Sequence, residues 1–254
     1  IFLNHIEEIE VDSPERKISL VSGNSVAKAL SKKYTVFKID PKGKGFLKKL
    51  LKINPDCVFV ALHGGNGENG VIQGFLETLG IPYTGSGVSA SAVCMNKILT
   101  KKILYSSGIP TAEFIPVEKN KIPRVPFEYP CVVKPANLGS TVGISIVNNE
   151  KNLKKAIRYA YKLDTEVFIE KFIKGKEITI GIIGNEKPEA LPPIEIRAKR
   201  KLYDFTAKYK KGESVHIIPP EIDKKLLNTA EDYAIRTYNV LGCSGCARME
   251  IIIQ

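Results

Sequence analysis

The chain has 254 residues, 43% of them apolar and 26% charged, with a formal net charge of +11. This balance excludes a disordered or fibrous chain and leaves room for about one to three folded domains. The lysines are spread along the whole chain without zinc-finger spacing, a recognition helix or an aromatic-and-basic signature, so small anionic partners are expected and nucleic acid is not.

Leu20, Val26, Ala27 and Leu30 recur at helical spacing, which predicts a helix over Ser19–Lys33 capped by Ser19. Tyr34–Ile39 follows as a strand and Phe46–Ile53 as a helix. Cys57–Leu62 is continuously apolar, the pattern of a strand buried on both faces. A glycine-rich turn, His63 to Gly70, then leads into a helix at Val71–Leu79. This alternation over residues 1–85 predicts an open parallel sheet. Polar residues just past strand ends in such sheets sit where ligands bind. That makes His63 and Glu68 candidates, although a lone histidine is more often structural.

Gly85-Ser86-Gly87 marks a boundary. Val88–Ser107 reads as one long helix carrying Asn96 and Lys97, stopped by Gly108 and Pro110. Glu113–Val117 is a short strand and Glu118–Glu128 a polar connector. Next comes a hairpin. Cys131-Val132-Val133 forms one strand, Lys134 and Pro135 end it, and a loop with Gly139, Ser140, Thr141 and Gly143 precedes a second strand at Ile144–Val147. That combination lets backbone N–H groups and a fixed ammonium close over an anion. It is not a Walker A loop, since no G-K-[ST] opens a helix. An ordinary glycine-rich hairpin would have the same composition.

Asn152–Leu163 is an amphipathic helix. Glu166–Ile173, Lys176–Gly184 and Pro188–Ile196 read as strands, and Ala198–Ile218 as a long polar loop. Glu221–Tyr238 reads as a helix after Pro219-Pro220. Ala247–Ile253 is a last strand, with Arg248 and Glu250 among apolar residues where unpaired charges are costly.

Of the five cysteines, Cys57 and Cys131 lie in apolar β-like runs and Cys94 in a helical run, which reads as buried free thiols in a reducing compartment. Cys243 and Cys246 form a C-x-x-C. Zinc would want a second pair, and a thioredoxin-type site a helix directly after it. A strand-like run follows instead, so both read as structural thiols. No apolar run approaches the ~18 residues of a membrane span. The first residues are acidic, unlike a signal peptide. A cytoplasmic protein without membrane association is expected.

Six blocks stand in order: Leu62–Gly70, Tyr83–Lys97, Val132–Gly143, Glu170–Glu177, Ala207–Tyr209 and Arg248–Glu250. Together they resemble the D-alanine–D-alanine ligase family of ATP-grasp enzymes, from about residue 13 onward. The resemblance implies an α/β fold, α+β overall. An N-terminal open parallel-sheet domain over 1–85 would precede a two-part ATP-grasp fold, divided into 86–172 and 173–254. It implies that ATP drives the joining of two D-alanines through an acyl phosphate, for peptidoglycan precursor synthesis. Mg2+ would assist, with Mn2+ as a substitute, in a homodimer.

By the same resemblance Lys97, Lys134 and Lys208 are phosphate-binding lysines, and Ser140 belongs to the loop that closes over the phosphates. Glu170, Lys171, Phe172 and Ile173 resemble the stretch that grips adenine, and Glu177 the ribose carboxylate. Glu15 resembles the receiver of the first D-alanine's ammonium, with Tyr209 and Ser140 as its hydrogen-bonding partners. A tyrosine at 209, where depsipeptide-forming relatives have histidine, implies D-alanine over D-lactate as the second substrate. His63 and Glu68 fall in the loop near the substrates. Arg248 resembles the arginine that polarises the reacting carbonyl, and Glu250 a metal carboxylate.

Two departures stand out. Family members have an apolar first strand ending in Gly-Gly, where this chain reads Ile6-Glu7-Glu8-Ile9-Glu10-Val11-Asp12. The family also continues past the position of Gln254 with further metal ligands, so impaired catalysis by this chain is expected. A nucleotide-binding relative without turnover and another ATP-grasp carboxylate–amine ligase are the alternatives.

Overall fold

The computed structural model describes residues 14–139, 141–198 and 214–254. The chain divides into two compact units, one ending at Val93 and the other beginning at Cys94.

In the first unit, α1 spans Pro14–Leu30, α2 Phe46–Ile53 and α3 Val71–Thr78, with a 3-10 turn at Gly65–Gly67. Leu50, Val58, Leu62, Ile72 and Leu76 form its buried core. Val58 and Tyr83 make a parallel bridge, with α3 lying between them in the chain. Of the strand expected at Tyr34–Ile39, Ile39 alone among the described residues is in a bridge, while Tyr34 and Phe37 are exposed. Helix α1 also starts earlier than expected. Ser19 therefore does not cap it but lies inside it, fully buried, and accepts a hydrogen bond from the His63 backbone N–H at 3.0 Å.

The expected helix over Val88–Ser107 is two helices, α4 at Val88–Met95 and α5 at Lys97–Ser106. Asn96 breaks it by taking an extended backbone, and its side chain accepts from the Leu99 N–H at 3.0 Å. This is an ordinary Asn N-cap, which stabilises a new helix start at the cost of continuity.

The first sheet of the second unit is antiparallel, in the order β1-β4-β2-β3. Its strands are β1 Phe114–Val117, β2 Cys131–Pro135, β3 Ser145–Val147 and β4 Val167–Lys171. Helix α6, Glu150–Ala160, buries Leu153, Ala156 and Ile157 against one face. The anticipated hairpin is β2–β3, although Lys134 and Pro135 belong to β2 and do not end it.

The second sheet is built on β5, Lys176–Gly184, which pairs along its whole length with β9, Gly245–Ile253. Its other edge takes β6, Glu189–Ala190, and β7, Ile194–Ala198. These two were expected as one strand, but Pro192 and Pro193 interrupt it because proline has no N–H for the ladder. Strand β8, Ser214–Ile217, pairs with β7, so both ends of the anticipated polar loop are strands of one hairpin. Helix α7, Lys224–Val240, is capped by Asp223 and covers Ile178, Ile180 and Ile182 with Ala230, Ala234 and Tyr238.

The cysteines depart from the expected buried set. Cys131 is buried, but Cys57, Cys94 and Cys246 are exposed, and the Cys243 sulfur lies 3.8 Å from that of Cys94. Among the described residues no helix is long and apolar enough to cross a membrane.

Candidate active site

Alternation along β2 and β4 sorts charged from apolar side chains. Cys131, Val133, Val167 and Ile169 pack toward α6. Val132, Lys134, Phe168 and Glu170 face the other way, because the register sets Val132 opposite Glu170 and Lys134 opposite Phe168. On that side Phe168 packs with Ala136, Phe114 and Ile98 of α5. One oxygen of Glu170 pairs with the Lys134 ammonium. Its other oxygen lies 3.0 Å from Lys101 Nζ. Burial works to raise the Glu170 pKa, but Lys134 and Lys101 together outweigh it and hold the carboxyl below its usual range.

Lys97 opens α5 beside this group. Its backbone N–H donates to Ala136 O at 3.0 Å, and its Nζ donates to Leu138 O at 2.5 Å and to Ala136 O at 3.3 Å. Burial, and then repulsion from Lys134, lowers its pKa to about 8, against the opposing pull of Asp164, Glu170 and Glu250. The loop that receives Lys97 is braced from behind. The Asn137 N–H donates to Asp164 Oδ2 at 2.7 Å, and its amide donates to Asp164 Oδ1 at 3.1 Å. Asn96 donates to Glu166 Oε2 at 2.8 Å. Lys101, Asn137, Asp164 and Glu166 were not singled out from the sequence, and Asn96 was named there only as part of one long helix. The Asp164-x-Glu166 pair just ahead of β4 was the available signal. Gly143 ends the glycine loop with φ +76°, and a Cβ there would stand 2.5 Å from Pro135 Cγ.

On the second sheet, Glu177 and Thr179 share the face away from α7 with Arg248 and Glu250, since Thr179 pairs with Glu250 and Gly181 with Arg248. Arg248 Nη1 donates to Glu250 Oε1 at 2.8 Å and to Thr179 Oγ1 at 3.2 Å. The charges expected to be costly in an apolar strand are thus paired with each other on its open face. Lys171 ends β4, and its N–H donates to Glu113 O at 2.9 Å. Phe172 and Ile173 follow, half-buried, and the Phe172 N–H reaches Pro130 O at 3.4 Å.

In the first unit, His63 Nε2 lies 3.0 Å from the Ser22 hydroxyl and Nδ1 lies 3.7 Å from Glu68 Oε1. The candidate histidine and carboxylate therefore meet, against the helix that carries Glu15. Glu15 lies in the first turn of α1, but its side chain, like Ser140, Lys208 and Tyr209, lies outside the described residues.

Magnesium in ATP sites is usually held by one or two carboxylates together with phosphate oxygens. Glu250, a part-exposed carboxylate close enough to Lys97 to act on its charge, fits that arrangement. Among the described residues no three His, Cys, Asp or Glu side chains gather into a site that would hold a metal by itself.

Two antiparallel sheets, lysines converging on the first and an arginine–glutamate pair on the open face of the second, define an ATP-grasp fold. Among solved structures, a D-alanine–D-alanine ligase of Bacillus anthracis complexed with ATP matches with a TM-score of 0.81 at 32% identity, over 96% of this chain and 79% of that one. The VanG D-Ala:D-Ser ligase of Enterococcus faecalis matches with a TM-score of 0.79 at 26% identity, over 94% of this chain and 83% of its own. The family models for the D-Ala–D-Ala ligase C-terminus and N-terminus match residues 103–254 and 42–86. The D-alanine–D-alanine ligase of Carboxydothermus hydrogenoformans is 43% identical over 252 residues, covering 95% of this chain and 80% of the relative. That of Pelotomaculum thermopropionicum is 44% identical over 254 residues, with the same coverage. The chain belongs to the D-alanine–D-alanine ligase family.

Proposed function

We propose that this chain joins two D-alanines to D-alanyl-D-alanine at the expense of ATP, supplying a peptidoglycan precursor. The observation that carries this reading is the convergence of Lys97, Lys134 and Lys101 around one glutamate at the root of a glycine-rich hairpin. Phosphoryl transfer needs little covalent help from a protein. It needs positioned cations and N–H donors around the phosphates.

The assigned roles are those the family resemblance implies, and the chemistry of each group suits its role. Lys97 and Lys134 neutralise the phosphates, with Lys208 and the Ser140 loop completing their enclosure. Glu170, Lys171, Phe172 and Ile173 hold the base, and Glu177 the ribose. Glu170 already carries two ammonium partners, so a base amino group would add a further hydrogen bond to an ionised carboxylate. A bound magnesium ion would be held by Glu250 and would neutralise phosphate charge. The γ-phosphoryl group passes to a carboxylate oxygen of the first D-alanine. The amine of the second attacks the acyl carbon, and inorganic phosphate leaves. Arg248, fixed by Glu250 and Thr179, stabilises the negative oxygen of the tetrahedral intermediate. Glu15, with Tyr209 and Ser140, receives the first D-alanine, and His63 with Glu68 lines its loop. A homodimer and a division at 1–85, 86–172 and 173–254 belong to the same proposal. In support of that division, β1–β4 end before residue 173 and β5–β9 begin after it.

The test is ADP release by the purified chain with D-alanine, L-alanine and D-lactate, with mass analysis of the product. ADP and D-alanyl-D-alanine in equal amounts are expected with D-alanine, and neither with L-alanine. ATP binding without D-alanine-dependent ADP release would overturn the reading.

A further inference from the structure

Lys101 is an odd residue to find inside a protein. It lies on α5, its residue surface is 7% exposed, and nothing in the family reading above gives it a role. Its ammonium is fully engaged. It sits 3.0 Å from Glu170 Oε2, donates to the Thr111 hydroxyl at 2.8 Å, and stands 5.3 Å from the Phe114 ring centroid.

Stability alone does not account for this arrangement. A single buried Lys–Glu pair is at best a modest stabiliser and is often replaceable by apolar residues of similar volume without loss. Here one carboxylate is shared by two ammonium groups, so the buried group carries a net positive charge, which is dearer still. The members differ in exposure. The Lys101 and Glu170 side chains are 9% and 12% exposed, whereas that of Lys134 is 24% exposed. The inner two form a fixed base, and the outer ammonium is the one presented.

Geometry makes the dependence specific. With both oxygens of Glu170 available, Lys134 could lie across the carboxylate, drawn back toward the sheet. Lys101 occupies Oε2 from the α5 side and leaves Lys134 only Oε1. We propose that Lys101 is a positioning residue for the nucleotide site, acting through Glu170 to hold the Lys134 ammonium where it meets phosphate. This rests on the reading of Lys134 as a phosphate-binding lysine.

The experiment compares Lys101→Met, Lys101→Arg and Thr111→Val with the unaltered chain. It measures ATP affinity by calorimetry, the KM for ATP and for D-alanine, and the unfolding temperature. Lys101→Met is expected to weaken ATP binding about tenfold or more, equivalent to about 1.4 kcal/mol. The KM for D-alanine should stay within about twofold, and the unfolding temperature should fall, since removing one partner of a buried pair is destabilising even though Lys134 still pairs with Glu170. Arginine keeps the cation and should recover most of the ATP affinity. If Lys101→Met does not fold, Thr111→Val carries the test: loosening the Lys101 ammonium should weaken ATP binding severalfold. ATP affinity unchanged in whichever of these two variants carries the test overturns the inference, as does a Lys101→Met defect shared equally by ATP and D-alanine. The underlying reading fails separately, if the unaltered chain binds ATP but releases no ADP with D-alanine.

Discussion

Lys97 holds its proton less firmly than an exposed lysine does. Burial and the neighbouring Lys134 bring its pKa down to about 8, while Asp164, Glu170 and Glu250 act in the opposite direction. The direction fixes a pH dependence. The ammonium form is the one that meets phosphate, and it is lost as pH rises through about 8 in the free protein. Bound phosphate favours the charged form and pushes the pKa back up. Accordingly kcat/KM for ATP, which reports the free enzyme, should fall on an alkaline limb near pH 8. The kcat limb, measured at saturating ATP, should lie higher. Replacing Lys97 by Met should remove the limb and lower kcat/KM throughout. A profile flat through that region for the unaltered chain would show that Lys97 does not act as a cation. At this scale much of the site was legible in the sequence. Glu170, Arg248 and Glu250 stand on strands that could be read, and Lys134 was read as the residue ending one. Lys101 was not legible, because a lysine in a helical run is normally solvated, and only the packing of α5 on the sheet puts it inside.

At the level of elements, the β2–β3 hairpin turns on the backbone at Gly143. Gly143 has φ +76°, and an added Cβ would lie 2.5 Å from Pro135 Cγ and 3.0 Å from Leu163 Cδ1. An alanine there meets both a disfavoured backbone and a rigid ring, so Gly143→Ala should cost about 1 kcal/mol or more. The check is a lowered denaturation midpoint together with weakened ATP binding, since the loop it closes is assigned to the phosphates. An unchanged midpoint would mean that the hairpin adjusts freely. The hairpin itself could be read from its apolar strands and glycine loop. The break at Asn96 could not, because apolar spacing continues across it from Val88 to Ser107. What decides the break is the side-chain cap on Leu99 N–H and the bond from Asn96 to Glu166, a partner 70 residues away. The split of Pro188–Ile196 was visible in Pro192 and Pro193.

Over the whole chain, each sheet of the second unit has a helix on one apolar face and gathers charge on the other. Helix α6 and Leu153 stand behind β2 and β4, and helix α7 and Tyr238 behind β5 and β9. Strand alternation sorts which residues share a face, but it does not show that Lys134 and Lys101 share one carboxylate, which requires the antiparallel register of β2 with β4 and the packing of α5 on that sheet. These faces support one chemistry: ATP activates the carboxylate of D-alanine by taking it through an acyl phosphate. That is tested most directly with D-alanine labelled with 18O in its carboxylate. If the acyl phosphate forms, one labelled oxygen remains on phosphorus when the second amine displaces it, and the inorganic phosphate released carries 18O. Phosphate released without label, alongside dipeptide, would contradict the account.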